Sequence, residues 1–375
     1  MPVNGLRKLV GVLALGATLA ACGSQSNEGS SGGSAAAGSS GASVSKAQAL
    51  AQQVTTRPTT LGLATAVGKP VPAGKKVAFI SCGVQACEIQ GDIIKQGAAD
   101  LGWTATTIGT DGSPEQLQNA FKTALRQGAD AVILNAVNRA AVAKQIEEAK
   151  QKGVAFVTCC STEAAGDGIL ANVAGKENSA RIGESLAAEI VADSKGKADT
   201  VFVNISAFEI LQALGGQFES TYKQFCPSCA YASLDIPVTS LGKDTPNRIV
   251  SYLRSHPQVN YLVLSVSNAL GAGLPAALRA AGLADKVKIV GQSGDTQTFQ
   301  DLQAKNFQSV VPFDYYAVDY LMLDALARHF AGAPAADAHP PLWIVTSANM
   351  PENATKGLFP VVEGYRDEFK KIWGK

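Results

Sequence analysis

At 375 residues the chain exceeds what one hydrophobic core of ordinary size supports, so two lobes are expected. Charged residues make up 17%, the formal net charge is +1 and no basic block stands out, which excludes a nucleic-acid-binding surface of the usual kind. The three histidines (His256, His329, His339) are scattered. They leave no His-based metal spacing and no Ser/His/Asp arrangement, so no metal, no cofactor and no hydrolase chemistry are expected.

The chain opens with Arg7 and Lys8 ahead of an apolar run, Leu9 to Ala21, which is too short to span a bilayer. That run ends Leu19-Ala20-Ala21-Cys22, which resembles the lipobox of bacterial lipoproteins. The resemblance implies that residues 1–21 are a signal peptide and that Cys22 becomes the lipidated first residue of the mature chain. A Ser/Gly-rich tether, residues 22–45, follows; it cannot bury a core and is expected to be disordered. Export places the other six cysteines in an oxidising compartment, where pairing is expected but fifteen connectivities are possible. Cys82 and Cys87 share one loop and read as a bracing bridge, and Cys226-Pro-Ser-Cys229 reads as a local structural one. Cys159-Cys160 stays open between a vicinal disulfide, a reduced pair and pairing elsewhere.

A weak helix over 46–55 and an extended run broken by Pro70 and Pro72 form an arm, residues 46–74, expected against the first lobe. Val77-Ala78-Phe79-Ile80 is then an apolar run without polar alternation, as in a strand buried on both faces of a parallel sheet. The loop 81–88 leads to a helix with Ile89, Ile93, Gly97 and Leu101 on one face. Strands follow over 104–108, 131–134 and 154–158, with a turn and helix start at Asp111-Gly112-Ser113-Pro114. Past Val173 the alternation restarts. Strands are expected over 200–203, 230–236, 261–264, 287–291 and 309–311, with helices between them. A helix over 315–330, a late strand over 342–346 and an amphipathic helix over 364–372 close the chain. Two successive runs of parallel βα units imply two doubly wound lobes.

The exported start, the tether, and the phrases ALGAGLPAALRAAG (269–282) and KVKIVGQSGD (286–295) together resemble the type I periplasmic sugar-binding proteins. The ribose-binding protein of bacterial ABC importers is a well-known relative, and the similarity covers about Lys75 to Ala348. The resemblance implies an α/β fold with two doubly wound parallel-sheet lobes joined by three crossover segments, near Val173, Phe313 and Thr346. Lobe 1 would be residues 75–173 and 314–345, and lobe 2 residues 174–313 and 346–375. It implies a monomer that is not an enzyme, held outside the cytoplasm by the lipid at Cys22. Such a protein captures a small polar solute, a sugar or sugar-like compound, between the lobes and delivers it to an ABC transporter permease.

Carried over by position, the solute contacts on lobe 1 would be Gln85, Glu88, Asn135, Asn138, Cys160 and Ser161. On lobe 2 they would be Phe208, Glu209, Ser265, Ser267, Asn268, Gln292 and Ser293, with Phe313 and Asp314 on a crossover. The chain departs from the sugar pattern at three places: Cys160-Ser161 replaces an Asp-Arg pair, Ser293 an Asp, and Cys87 and Glu88 the aromatic residues of the first loop. Two other readings remain: a solute sensor that signals to a membrane receptor, and an exported thiol-disulfide oxidoreductase.

Overall fold

The computed structural model describes residues 34–81, 85–136 and 138–375. The expected signal segment, Cys22, the first part of the expected tether and Cys82 lie outside the described residues. In chain order, α1 (Ser34–Gln53) and an extended arm precede β1 (Lys76–Ile80), α2 (Gln85–Asp100), β2 (Thr104–Ile108), α3 (Pro114–Arg126) and β3 (Ala131–Leu134). Next come α4 (Arg139–Gln151), β4 (Ala155–Cys159), the short β5 (Ala171–Val173), α5 (Lys176–Ser194) and β6 (Asp199–Asn204). The chain continues through α6 (Glu209–Phe225), β7 (Ala230–Asp235), α7 (Thr245–Ser255), β8 (Tyr261–Leu264), α8 (Ser267–Leu270) and α9 (Leu274–Ala280). It ends with β9 (Lys288–Gln292), α10 (Thr296–Gln303), β10 (Ser309–Val311), α11 (Tyr315–Ala331) and α12 (Tyr365–Trp373).

The strands form two parallel sheets, in the orders β2-β1-β3-β4-β5 and β10-β9-β8-β6-β7. The apolar runs explain both. In β1 and β3, alternate side chains point to opposite faces. Phe79 and Ile133 enter a core shared with α2, α11 and α12, whereas Ala78 and Val132 enter a second core with Phe121 of α3 and Ile146 of α4. The second lobe repeats this: Val203 and Leu264 face one core, and Phe202 and Val263 face another against α5 and α6. A strand buried on both faces cannot alternate polar and apolar residues, which is why these runs read as continuous. Ser113 caps α3 by accepting the Gln116 N–H, with Pro114 in the first helical turn.

Three expectations need correction. The first concerns the tether and arm. Helix α1 starts at Ser34, inside the stretch expected to be disordered, and Ala47 and Ala51 on it are buried. Small side chains let this helix approach α5 closely, so alanine-rich sequence suffices for packing where large apolar residues are missing. It packs on lobe 2, and only later does the arm reach the lobe 1 core, through Val67 and Val71.

The second concerns the last crossover. Trp343 and Val345 already lie in the lobe 2 core with Phe359 and Val361, so the chain returns to lobe 2 before residue 343. The late strand is a single antiparallel bridge, Val310 to Val345. The third concerns the C-terminal helix, which belongs to lobe 1 and not lobe 2. Its apolar face (Tyr365, Phe369, Ile372, Trp373) enters the lobe 1 core. Trp373 stacks on Tyr320 with ring centroids 5.8 Å apart, and its Nε1 donates to Asp324 at 2.9 Å. Arg366 reaches both oxygens of Asp100 at 2.6 Å. Burial of Asp100 would raise its pKa, but hydrogen bonds from Arg366, Tyr320 and Lys370 outweigh burial and hold it below its ordinary value. Amphipathicity alone shows that this helix packs, but not on which lobe.

Trp373→Ala should therefore destabilise lobe 1 by about 3–5 kcal/mol, the usual cost of emptying a buried Trp site. Urea unfolding measures it. A loss below about 1 kcal/mol, typical of a surface change, would place α12 outside that core.

Candidate functional site

Open parallel sheets place ligands beyond the carboxyl ends of their strands, where loops leave without covering the backbone. In this chain several residues at those ends share one property. Both amide atoms of Asn135, after β3, are buried without a hydrogen-bond partner in the protein, as are Ser161 Oγ after β4 and Asn204 Oδ1 at the end of β6. Ser265 Oγ after β8, and Ser267 Oγ and Asn268 Oδ1 at the start of α8, are in the same state. An unpaired buried polar atom costs about 1–3 kcal/mol, so a set of them gathered at two facing sheet ends needs a reason.

Backbone geometry adds to this. Ala136, Cys160 and Ser293, in the loops after β3, β4 and β9, all have left-handed backbone, with φ of 54°, 63° and 58°. Residues with a Cβ adopt that region at a cost, and such strain collects at ligand clamps. Gly291 serves the same end of lobe 2: a Cβ there would lie 2.4 Å from Ser267 Oγ and 2.7 Å from Leu264 O. Only glycine lets β9 pass so close to the turn that carries Ser265 and Ser267.

A cavity of about 150 Å³ lies between the lobes. Asn138, Cys160, Ser161 and Glu163 line it from lobe 1, and Phe208, Glu209 and Ile210 from lobe 2. Thr162 Oγ1 donates to Glu209 Oε2 at 2.8 Å, a bond that spans the two lobes. Glu209 sits in the first turn of α6, where the helix dipole favours a carboxylate. Phe208 is 47% exposed, a large apolar ring left facing solvent.

Cys159 and Cys160 are joined as a vicinal disulfide. Cys159 is fully buried, whereas Cys160 reaches the cavity. The pair is also tied to the hinge, because the Cys160 N–H donates to Val173 O at 3.0 Å, where β5 ends and the chain crosses to lobe 2. Cys226, the C-cap of α6, is bridged to Cys229 just before β7. That order of elements, helix before and strand after, is opposite to a thioredoxin-type redox motif. Cys87 is disulfide-bonded as well.

Several expected contacts are engaged inside the protein. Glu88 accepts from Ser81 Oγ at 2.7 Å, and Asn138 caps α4 through Ala140 N. Gln292 Nε2 donates to Ser265 O at 2.5 Å, and the ring of Phe313 meets Tyr315 edge-on at 4.8 Å. The side chain of Gln85 lies outside the described residues. Asp314 is the largest departure. One carboxylate oxygen caps α11 through Ala317 N and the other accepts from Val361 N at 3.1 Å, where the chain passes back to lobe 1. It is 3% exposed and both oxygens are taken, so its geometry is that of a knot between two crossovers.

Sequence reasoning passed over Tyr315 and Asp319. Asp319 Oδ1 accepts from Gln90 Nε2 at 2.9 Å, while its Oδ2 is buried without a partner in the protein. Burial pushes its pKa well up, against the lowering effect of Gln90, and the charge of Asp314 adds to the rise. Tyr315 is raised by burial too, partly offset by a hydrogen bond with Ser293. An acidic residue within the apolar run Tyr315 to Leu323 was the available signal.

Residues 87–334 match a family model described as periplasmic binding protein domain, and the chain belongs to that family. No curated protein matches the chain. Among solved structures, the fold is similar to a 5-methylthioribose transporter solute-binding protein from Thermotoga lettingae. The TM-score is 0.64 at 18% identity, over 80% of this chain and 98% of that one. A glucose-galactose binding protein from Geobacillus stearothermophilus gives 0.63 at 18%, over 75% and 100%. An ABC transporter solute-binding protein from Agrobacterium vitis with bound allitol gives 0.61 at 16%, over 76% and 97%.

The state of Asp314 can be tested by pH. Burial raises its pKa from 3.8 to about 6, against the backbone N–H bonds that favour its charged form. Because the folded protein holds this proton more tightly than the unfolded chain, Asp314 makes stability fall as pH rises from about 4 to about 6. The stability of wild type relative to Asp314→Asn should thus drop by up to roughly 3 kcal/mol between pH 4 and 7, read from urea unfolding. Parallel pH curves for the two proteins would show that the carboxyl is not held neutral by the fold.

Proposed function

We propose that this member of the periplasmic binding protein family is an extracytoplasmic lipoprotein that binds a small uncharged polar solute between its lobes and delivers it to an ABC permease. The observation that carries the reading is the set of unpaired polar atoms at the facing strand ends, from Asn135 and Ser161 on lobe 1 to Ser265, Ser267 and Asn268 on lobe 2. All of these are neutral amides or hydroxyls. They supply both donors and acceptors, as hydroxyls on a sugar or polyol require. Among the described residues no Lys, Arg or His lines the cavity, and Glu163 and Glu209 do, so a phosphorylated or acidic solute is disfavoured. Arg139, the nearby cation on α4, is held by Glu163 at 3.3 Å.

The apolar lining of the cavity comes from Ala136 and Cys160 on lobe 1 and from Ala207, Phe208 and Ile210 on lobe 2. A solute with a hydrophobic face would lie between them, with its hydroxyls toward Asn135, Ser161 and Ser265. At about 150 Å³ the space is below the range of roughly 300–1,000 Å³ usual for drug-sized ligands. That size suits a solute the size of a pentose derivative or a small polyol. The proteins of similar fold include one named for 5-methylthioribose and one bound to allitol, both uncharged.

The mechanism follows from the crossovers. Solute first meets one lobe; closure then brings the second set of polar atoms onto it, and the better affinity of the closed form shifts the population. The Thr162–Glu209 bond contributes to that closed contact.

A thermal-shift panel should find its hits among neutral sugars and polyols, with allitol and 5-methylthioribose included, and none among sugar phosphates or uronic acids. Small-angle scattering with a hit should show compaction, and Phe208→Ala should weaken its binding about tenfold. Hits confined to charged solutes would remove the reading of the cavity. Anchoring is tested separately: Cys22→Ser should move the protein from the membrane fraction to the soluble one, and retention at the wild-type level would sink the lipoprotein assignment.

A further inference from the structure

The amino ends of the lobe 2 strands surround a groove of about 950 Å³. Tyr261 and Lys288, the first residues of β8 and β9, stand on its wall, with Gln308 just before β10. Asn204, Ser265 and Gln292 stand at the carboxyl ends of the same sheet, so groove and cleft occupy opposite poles of the lobe. Five exposed cations line the groove: Lys197, Arg279, Lys286, Lys288 and Lys305. Its acids are Asp193 and Asp285. Asp193 is already engaged, by Lys288 at 2.6 Å and by the phenol of Tyr261. Lys195 adds an exposed cation two residues from Lys197. A chain with net charge of only +1 thus gathers positive charge at one pole.

The polar groups of this groove do not converge on a small ligand. Asn260 Oδ1 accepts from Asp199 N, and Asn306 bridges Arg279 and Asp301. What remains available is a set of ammonium groups open to solvent, those of Lys197, Lys286 and Lys305, with Lys195 beside them. Such an array fits an extended anionic surface better than a pocketed molecule, because its field adds up over many opposing charges.

The course of the chain says which surface. A Cβ on Gly196, next to Lys197, would lie 3.2 Å from Val44 Cγ2, so α1 runs along α5 to this same pole. From Val44 the helix continues toward its start at Ser34, a further ten residues or about 15 Å. Eleven residues, 23–33, separate Ser34 from Cys22, a reach of at most about 40 Å. A chain anchored at Cys22 therefore presents this pole to the bilayer at high effective concentration.

We propose that the basic pole of lobe 2 rests on anionic phospholipid headgroups of the membrane that holds the tether. This proposal rests on the lipid anchoring at Cys22 read above. The docked pole orients the lobe, and the cleft at the opposite strand ends stays turned toward the solution that carries the solute. The contact is electrostatic and reversible, so the protein leaves the surface without extracting any side chain from hydrocarbon.

The test uses the full chain carrying Cys22→Ser, which has no lipid of its own, pelleted with vesicles of phosphatidylcholine alone or with added phosphatidylglycerol. Binding is expected only with phosphatidylglycerol, and it should fade between about 0.1 M and 1 M salt as the Debye length falls from about 10 Å to about 3 Å. The triple variant Lys197→Glu/Lys286→Glu/Lys305→Glu should bind at least about tenfold more weakly with an unchanged unfolding temperature. The lobe 1 control Lys122→Glu/Lys144→Glu/Lys150→Glu should bind as wild type. Equal binding to neutral vesicles, no binding to either kind, or wild-type binding by the lobe 2 variant would each overturn the proposal. Competition by free glycerol phosphate would assign a soluble phosphate site instead and overturn it too. Because the assay uses an unlipidated chain, its outcome is independent of the membrane-fraction test of Cys22.

Discussion

A buried polar atom must find a partner, and in this protein the described atoms that lack one are concentrated at the facing sheet ends, in Asn135, Ser161, Asn204, Ser265, Ser267 and Asn268. Asp314 shows the rule, with both oxygens satisfied by backbone N–H groups from separate crossovers. Asn135 shows the exception, fully enclosed with neither amide atom paired inside the protein. A fold under selection for stability alone would place an apolar side chain there, since removing an unpaired polar group is neutral or favourable. Retaining it makes sense where another molecule completes the bonds.

The hinge is stiffer than three crossovers alone would make it. Arg57 in the arm donates to Val361 O and Pro360 O at 2.9 Å and pairs with Glu363, while its guanidinium lies 5.2 Å from the Trp343 ring centre. The Trp343 indole in turn donates to Thr55 O. The arm and the C-terminal segment therefore hold each other where both pass between lobes. With α1 on lobe 2 and α12 on lobe 1, each end of the chain is packed on the lobe opposite to the one suggested by its neighbours in sequence. Rigid-body rotation about such a hinge leaves the two cores intact, because each is closed on both faces of its sheet by its own helices.

The sheets were legible because burial on both faces leaves a plain signal: four apolar residues in a row at Val77 to Ile80, Ala131 to Leu134 and Tyr261 to Leu264. The Cys226–Cys229 bridge was legible for a similar reason, since its partners are three residues apart and need no tertiary information. Helix α1 was not, because serine, glycine and alanine describe a linker as well as a closely packed helix, and only contact with α5 decides. Asp314 was legible as a polar residue at a crossover but not as a knot, because its second partner, Val361, is 47 residues away and backbone N–H groups leave no mark in a sequence. The vicinal disulfide was one of three open readings of Cys159-Cys160. The left-handed conformation of Cys160 that accompanies it belongs to the loop as a whole and not to any motif.

The central claim, that the unpaired groups at the strand ends are kept for a solute, is tested most directly by the stability of Asn135→Leu in the absence of any solute. Leucine fills nearly the same space without a polar atom to desolvate. Urea unfolding of the two proteins, side by side, should find the variant at least as stable as wild type. A variant less stable by more than about 1 kcal/mol would contradict the account, because Asn135 would then be contributing to the fold itself and not waiting for a ligand.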